Sequence, residues 1–160
     1  MRSGYSLIVP LVCALAVASQ TFTIKSAAEE GHFIHTEAKP GSDVKLGKHA
    51  GTVFIDPLPV KVGGIAKASI MDTHRSLYVG PYRDAVEPGT RLVWSYTEYK
   101  WHIKLTRDHK YVIYHHGPHA TLGWHDKNTD IVLEPEAKKA HSEWEIHHKA
   151  VVDRAEIKEL

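Results

Sequence analysis

The clearest hydrophobic pattern in the sequence lies between Tyr111 and Ile146, where short apolar segments alternate with turn-forming residues. Four of these segments are rich in β-branched, aromatic or leucine residues, which is typical of strands. They are Tyr111–His115, Thr121–His125, Ile131–Glu134 and Glu143–His147. Gly117-Pro118, Asp126-Lys127-Asn128 and a polar run after Pro135 separate them, and such residues favour turns. The pattern therefore predicts a unit of four short strands.

The opening and the closing residues of this unit both recur upstream. Trp144-Glu-Ile146 closes the unit, and Trp101-His-Ile103 lies 43 residues before it. Tyr111-x-Ile113 opens the unit, and Ala68-x-Ile70 also lies 43 residues earlier. The shared spacing predicts that residues 68–103 form a second copy of the same unit.

A weaker third copy lies nearer the N-terminus. It opens at Phe22-x-Ile24 and closes at Val53-x-Ile55. An alignment without gaps between its first half and the last unit places Phe33 on Leu122. A single four-strand unit does not bury its apolar face alone, so the repetition predicts three units packed together.

Three repeats of this kind resemble the β-trefoil, in which twelve strands form a short barrel capped by three hairpins. The repeats are similar to those of ricin-B-type lectins, which end in a Gln-x-Trp motif and hold a sugar in a shallow pocket. Tyr99-Lys100-Trp101 and Ser142-Glu143-Trp144 keep the tryptophan of that motif but not the glutamine. The resemblance implies an all-β, β-trefoil domain over residues 20–148 and a carbohydrate-binding function, with a glycan or glycoprotein as the partner.

The same resemblance implies where a sugar would bind. The candidates lie near the pocket position of the third repeat, with an aromatic ring as the stacking platform and polar groups as hydrogen-bond partners. They are Trp124, Asp126, Asn128, Asp130 and Trp144.

A second interpretation is a β-trefoil protease inhibitor, because Kunitz-type plant inhibitors and disulfide-free fungal inhibitors have this fold and a similar size. Leu122-Gly123-Trp124, which precedes a β-branched strand, also resembles some of the fungal inhibitors. One candidate loop is the segment 56–64, DPLPVKVGG, whose two prolines cannot donate to a strand ladder. The other surrounds Glu87-Pro88-Gly89. Lys61 or Arg83 would be the specificity residue for a trypsin-like enzyme. A third interpretation is a secreted trefoil that contacts another partner protein through an apolar patch.

Residues 1–19 predict a secretory signal peptide, since a positive charge at Arg2 precedes an apolar run and the small-x-small sequence Ala16-Val17-Ala18. The run is shorter than the roughly 20 apolar residues of a membrane span, so we expect secretion without membrane insertion. Cleavage removes Cys13, the only cysteine, and predicts a disulfide-free mature protein. Residues 149–160 predict a charged, solvated C-terminal tail.

Composition narrows the function further. The net charge of +1 disfavours nucleic-acid binding. The chain has 13 histidines, so we expect its positive charge to rise below about pH 6. Adjacent histidines on a strand point to opposite faces, and no fixed-spacing ligand motif is present, so no metal site is predicted. The sequence lacks Gly-x-Ser-x-Gly and a phosphate-binding glycine loop. It therefore predicts a binding module rather than an enzyme, with no catalytic residues and no cofactor.

Overall fold

Twelve strands make up the regular structure of the residues that a computed structural model describes, which are 20–37, 39–118, 120–135 and 139–149. The strands are β1 (Thr21–Ser26), β2 (Phe33–Ile34), β3 (Leu46–Gly47), β4 (Val53–Asp56), β5 (Ile65–Asp72), β6 (Tyr78–Pro81), β7 (Leu92–Ser95), β8 (Lys100–Leu105), β9 (Tyr111–His116), β10 (Thr121–Lys127), β11 (Asp130–Pro135) and β12 (Trp144–Lys149). A 3-10 turn at Tyr82–Asp84 and the four-residue helix α1 (Lys139–Ser142) complete the described structure. The fold is all-β, as predicted.

Two predictions lie wholly or partly outside the described residues. These are the signal peptide at 1–19 with Cys13, and the tail from 150 onwards. Lys149, which the sequence assigned to the tail, is instead the last residue of β12. Within the described residues, no helix has the length and apolar character needed to cross a membrane.

Six strands form a closed barrel. Each pairs antiparallel with its neighbours in the order β1, β4, β5, β8, β9 and β12. The ring is closed by β12 and β1, which pair from Thr21↔Lys149 to Ser26↔Trp144. Closure removes the unpaired edges that an open sheet exposes.

The other six strands form three antiparallel pairs outside the ring, namely β2–β3, β6–β7 and β10–β11. Each pair is connected to the barrel through its first strand, which bonds to β1, β5 or β9. Three isolated bridges join the pairs to one another: Asp43↔Val93, Lys45↔Asp130 and Arg91↔Val132. The three pairs therefore lie together at one end of the barrel.

The barrel interior contains the isoleucines of the repeated motifs. The opening residues Ile24, Ile70 and Ile113 and the closing residues Ile55, Ile103 and Ile146 are all buried. They alternate with more exposed neighbours because side chains along a strand point to opposite faces. Burying each of these side chains stabilises the fold by about 1.5–3 kcal/mol.

All four tryptophans belong to the core. Trp124 lies between Trp101 and Trp144, with ring centroids 5.3 and 6.1 Å away and nearly perpendicular planes. This edge-to-face arrangement is the one that aromatic quadrupoles favour. The indole N–H of Trp101 donates to the carbonyl of Val79 at 2.8 Å, and that of Trp144 donates to the carbonyl of Trp124 at 3.3 Å. The closing tryptophans therefore tie barrel strands to the outer pairs.

The ungapped alignment of the first unit is wrong by one residue at β2. Phe33 pairs with Lys25, whereas Gly123 pairs with Tyr114, the residue that the alignment places on Lys25. Phe33 therefore takes the place of Gly123 rather than that of Leu122. A slip of one residue would turn Ile34, which is fully buried, towards solvent.

Leu92, Trp94 and Tyr96 alternate with Val93 and Ser95 along the sequence, which predicts a strand with only one face in the core, and this prediction is only partly correct. The strand ends at Ser95, and Val93 is buried although the pattern predicts that it faces outward. The bridge from Asp43 adds a second segment of chain at the edge of β7 opposite β6, so Val93 is paired on both sides. Tyr96 lies beyond the strand and is exposed.

Candidate functional site

The two tryptophans of the predicted sugar site lie in the core. Trp124 and Trp144 are both 0% exposed. A ring without an exposed face cannot contact a ligand, so the prediction that either one forms a stacking platform is wrong. Both residues instead stabilise the core through the contacts described above.

The polar candidates occupy three different environments. Asp130 forms an ion pair with Lys45, and this hydrogen bond is the main cause of the raised pKa of Lys45. Asn128 is exposed in the turn between β10 and β11, with a φ of 64°, a left-handed conformation that asparagine tolerates. Asp126 is buried. Asp130 is therefore already paired with Lys45, and Asp126 and Asn128 remain as candidates for ligand binding.

Asp126 and Asn128 line one cavity of about 400 Å³ on the outer pair β10–β11. The other lining residues are Glu29, His125, Lys127, Val132, Glu134, Pro135 and His141. The imidazoles of His125 and His141 lie against each other with ring centroids 5.6 Å apart. The size of the cavity falls in the usual range of small-molecule sites, and seven of its nine lining residues have polar side chains.

The Asp126 carboxylate is the unusual group of this cavity. Its side chain is 1% exposed, and neither of its oxygens has a hydrogen-bond partner among the described residues. The nearest basic group is Nδ1 of His32, 3.6 Å away, which also lacks a hydrogen bond. Asp126 follows Leu122 and Trp124 on the inward face of β10, so a carboxylate lies where the strand pattern calls for an apolar residue.

The other candidate site is the β4–β5 loop, residues 57–64. The predicted loop began one residue earlier, but Asp56 ends β4. Since β5 runs from Ile65 towards Asp72, which leads into the outer pair β6–β7, this loop lies at the opposite end of the barrel from the three pairs. It is therefore separate from the Asp126 cavity.

The tip of the β4–β5 loop is exposed, and its two ends are held in place. Pro59 is buried, and its carbonyl accepts a hydrogen bond of 3.4 Å from the Tyr111 hydroxyl. On the other side, the N–H of Gly63 donates to the carbonyl of Leu105 at 2.7 Å. The N–H of Gly64 donates to the carbonyl of Lys61 at 2.8 Å and closes a turn. Gly63 has a φ of 79° in this turn, which favours glycine.

Lys61 lies at the tip of this loop between two exposed valines. Val60 is 86% exposed and Val62 is 48% exposed. Val60 borders one surface depression of about 460 Å³, and Val62 borders another of about 920 Å³. The loop therefore projects between two concave surface regions, with Lys61 at its tip.

The alternative loop presents its residues differently. Arg83 and Asp84 both have a φ of 54°, and the Arg83 guanidinium lies 5.1 Å from the centre of the Tyr82 ring. Glu87 and Pro88 are exposed, and the carbonyl of Glu87 accepts a 3.1 Å hydrogen bond from Thr90. Arg83 therefore lies in a left-handed turn, and its guanidinium packs on the neighbouring ring of Tyr82.

Some of the histidines form a surface cluster on β8 and β9. The Tyr99 hydroxyl lies 2.6 Å from Nδ1 of His115, and the His102 ring stacks on Tyr114. Burial lowers the pKa of His102 and of His115, and the neighbouring imidazoles and Lys67 lower both pKa values further. Among the described residues, no group of three or more His, Cys, Asp or Glu side chains is arranged to hold a metal ion.

Sequence reasoning missed two features of these sites. His32 lies in the irregular segment before β2, and no periodic pattern connects it to Asp126. The exposure of Val60 and Val62 in the β4–β5 loop is likewise a feature of the tertiary structure that the sequence pattern did not predict. The loop itself was identified from its prolines.

No protein-family model matches the sequence, and the search of curated proteins found no match.

Proposed function

We propose that this protein is a secreted β-trefoil binding protein that inhibits a trypsin-like protease through the β4–β5 loop. The observation that carries the proposal is the exposed Lys61 at the tip of a loop whose two ends are hydrogen-bonded to the barrel. The signal-peptide pattern of residues 1–19 supports secretion.

The β-trefoil assignment has two supports. A six-strand ring with three outer strand pairs is the number and arrangement of strands that the fold requires. The closing tryptophans also make equivalent contacts in two units, since Trp101 bonds to β6 and Trp144 bonds to β10. Once the alignment is shifted by one residue, the pairing of Phe33 with Lys25 in the first unit matches that of Gly123 with Tyr114 in the third.

The loop has the properties that an inhibitor needs. A segment that is already ordered loses less entropy on binding than a flexible one. Lys61 offers a cation for an acidic specificity pocket, and the flanking valines offer apolar contact on either side. The carbonyl of Lys61 is already bonded to Gly64, which keeps the following peptide bond away from the extended geometry of a substrate. The loop therefore fits a role as a ligand that resists cleavage.

The test is a titration of trypsin activity with the mature protein. We expect inhibition at a one-to-one ratio and an intact Lys61–Val62 bond afterwards. The Lys61→Ala variant is expected to bind at least about thirtyfold more weakly, because a central anchor contributes more than about 2 kcal/mol. Lys100→Ala is the matched control, since Lys100 is exposed on the barrel and forms no ion pair with another described residue.

Three results would contradict the proposal. They are the absence of inhibition, rapid cleavage after Lys61, and equal inhibition by the wild type and Lys61→Ala. Loss of inhibition in Arg83→Ala but not in Lys61→Ala would move the contact to the other loop.

Carbohydrate binding at the Asp126 cavity is a second candidate function. The observation that favours it is a cavity of small-molecule size with an unpaired carboxylate and the exposed Asn128 amide on its lining. With no tryptophan on the lining, recognition would depend on hydrogen bonds rather than on stacking. A glycan array at pH 7.5 tests it, with Asp126→Asn expected to abolish any binding and a blank array excluding it.

A further inference from the structure

The buried carboxylate of Asp126 needs a donor that the described chain does not supply. Burying an ionised carboxylate without a partner costs several kcal/mol, and buried polar groups in native proteins are nearly always paired. Asp126 has no hydrogen bond to either oxygen among the described residues, although it lines an open cavity. Such an unsatisfied group beside a cavity marks a place where a ligand can supply the missing partner.

The charges around the cavity indicate the kind of ligand. Glu29 and Glu134 add two carboxylates to that of Asp126, and Lys127 is the only lysine on the described lining. His125 and His141 also line the cavity. At pH 7.5 the cavity is therefore matched to a cation that also carries hydrogen-bond donors.

His32 competes for the same carboxylate. Its Nδ1 lies 3.6 Å from the Asp126 carboxylate, which is too long for a hydrogen bond and within the range of an ion pair. A protonated imidazole donates from both of its nitrogens, so its charge would draw it onto Asp126. A proton on His32 and a cation in the cavity are therefore alternative partners for one buried group.

We propose that this cavity binds a small hydroxylated organic cation, such as an amino sugar or an aminated polyol, by pairing its ammonium group with Asp126, and that protonation of His32 displaces the ligand. The contacts proposed for the hydroxyl groups of the ligand rest on the carbohydrate-binding function proposed above. The contact between its ammonium group and Asp126 does not. Protonation of His125 and His141 would add to the displacement, whereas Glu29 and Glu134 favour the ligand at every pH where they are ionised.

The experiment is a nuclear magnetic resonance titration of the mature protein with three probes at pH 7.5 and pH 5. Glucamine is an aminated polyol that keeps its ammonium charge at both pH values. Sorbitol is the matched neutral polyol, and ethanolamine is a cation with a single hydroxyl. We expect glucamine to bind at pH 7.5 at least about tenfold more tightly than sorbitol, and about tenfold more weakly at pH 5 than at pH 7.5.

Three variants locate the contacts. Asp126→Asn keeps the shape of the side chain and is expected to abolish glucamine binding. His32→Gln is expected to retain binding and to lose most of its pH dependence. Asp56→Asn is the control, because Asp56 is an exposed carboxylate at the other end of the barrel and should bind as the wild type does. The wild-type comparison of glucamine with sorbitol needs no variant and stands even if Asp126→Asn does not fold.

The outcomes separate this inference from the function on which it partly rests. Equal binding of sorbitol and glucamine overturns the ammonium contact and leaves polyol recognition in place. Equal binding of ethanolamine and glucamine supports the ammonium contact and overturns carbohydrate recognition. Absence of binding by all three probes overturns both. An unchanged pH dependence in His32→Gln overturns the competition.

Discussion

The Glu145 carboxylate connects three basic side chains from different parts of the chain. It accepts hydrogen bonds from Lys25 on β1, from Lys110 after the β8–β9 turn and from His147 on its own strand. These contacts lower the pKa of Glu145 from 4.5 to about 2, with the bond from Lys110 as the largest cause and burial acting in the opposite direction. Replacing Glu145 by Gln removes the charge and keeps the size of the side chain.

The expected loss of stability in Glu145→Gln follows from the lowered pKa of Glu145. A fall from 4.5 to about 2 corresponds to about 3 kcal/mol of stabilisation above pH 4.5. We expect about half of this, roughly 1.5 kcal/mol, because Lys25 and Lys110 are 24% and 31% exposed and solvent screens such pairs. The folded pKa is the lower one, so this stabilisation is complete above about pH 4.5 and is lost as the pH falls towards 2. At pH 3 the difference between wild type and Glu145→Gln should be less than half of its value at pH 7.

Urea unfolding followed by tryptophan fluorescence measures this difference, since all four indoles are buried in the folded state. Glu30→Gln is the control, because Glu30 is exposed and forms no ion pair with another described residue. The reasoning is refuted if Glu145→Gln loses less than about 0.5 kcal/mol at pH 7. Equal losses at pH 7 and pH 3 would refute it as well, because they would show that the charge has no part in the effect.

Three further predictions concern the core, a turn and the histidines. Trp101→Phe leaves the carbonyl of Val79 without its donor and should lower the free energy of unfolding by about 2–3 kcal/mol in the same urea assay. The buried carboxylate of Asp72 accepts three backbone N–H groups in the β5–β6 turn, so Asp72→Ala should lose about 3 kcal/mol and Asp72→Asn less; equal losses would contradict this. The imidazoles of His102 and His115 should titrate below the ordinary histidine pKa of 6.5 in nuclear magnetic resonance spectra. Because the unfolded chain then binds these protons more readily, both residues should reduce stability as the pH falls through 6.5, and replacing either one by Gln should weaken that pH dependence.

The strands of the fold were predictable because they follow from local patterns. Period-two alternation, together with the turn-forming Gly, Pro and Asn residues between the segments, identified all four strands of the last unit to within two residues. The repeated Trp-x-Ile and x-x-Ile motifs also identified core residues correctly, since side chains of equal size recur where equivalent strands meet. The register at Phe33 was not predictable, because a two-residue strand provides too little pattern to fix an alignment.

The candidate sites were less predictable, since a site depends on which segments meet in space. The sequence proposed Trp124 as an exposed ring, but large aromatic residues in a small barrel contribute most when they fill its interior. Asp126 was identified near its correct place, whereas its neighbour His32 lies more than 90 residues away along the chain. The β4–β5 loop was recognised from its prolines. The hydrogen bonds that Tyr111 and Leu105 make with its ends join distant parts of the chain, so they were not predictable from a local pattern.

The pairing of β1 with β12 has a consequence for how the chain folds. Until β12 is available, the edges of β1 and β9 have no partner, so a growing or truncated chain exposes two strands that invite mispairing. Contacts between positions as distant as Thr21 and Lys149 carry a large loop-closure entropy, which slows folding relative to proteins with mostly local contacts. We therefore expect the barrel to form slowly and cooperatively after the whole chain is present. A circularly permuted chain that joins Lys149 to Thr21 should fold faster.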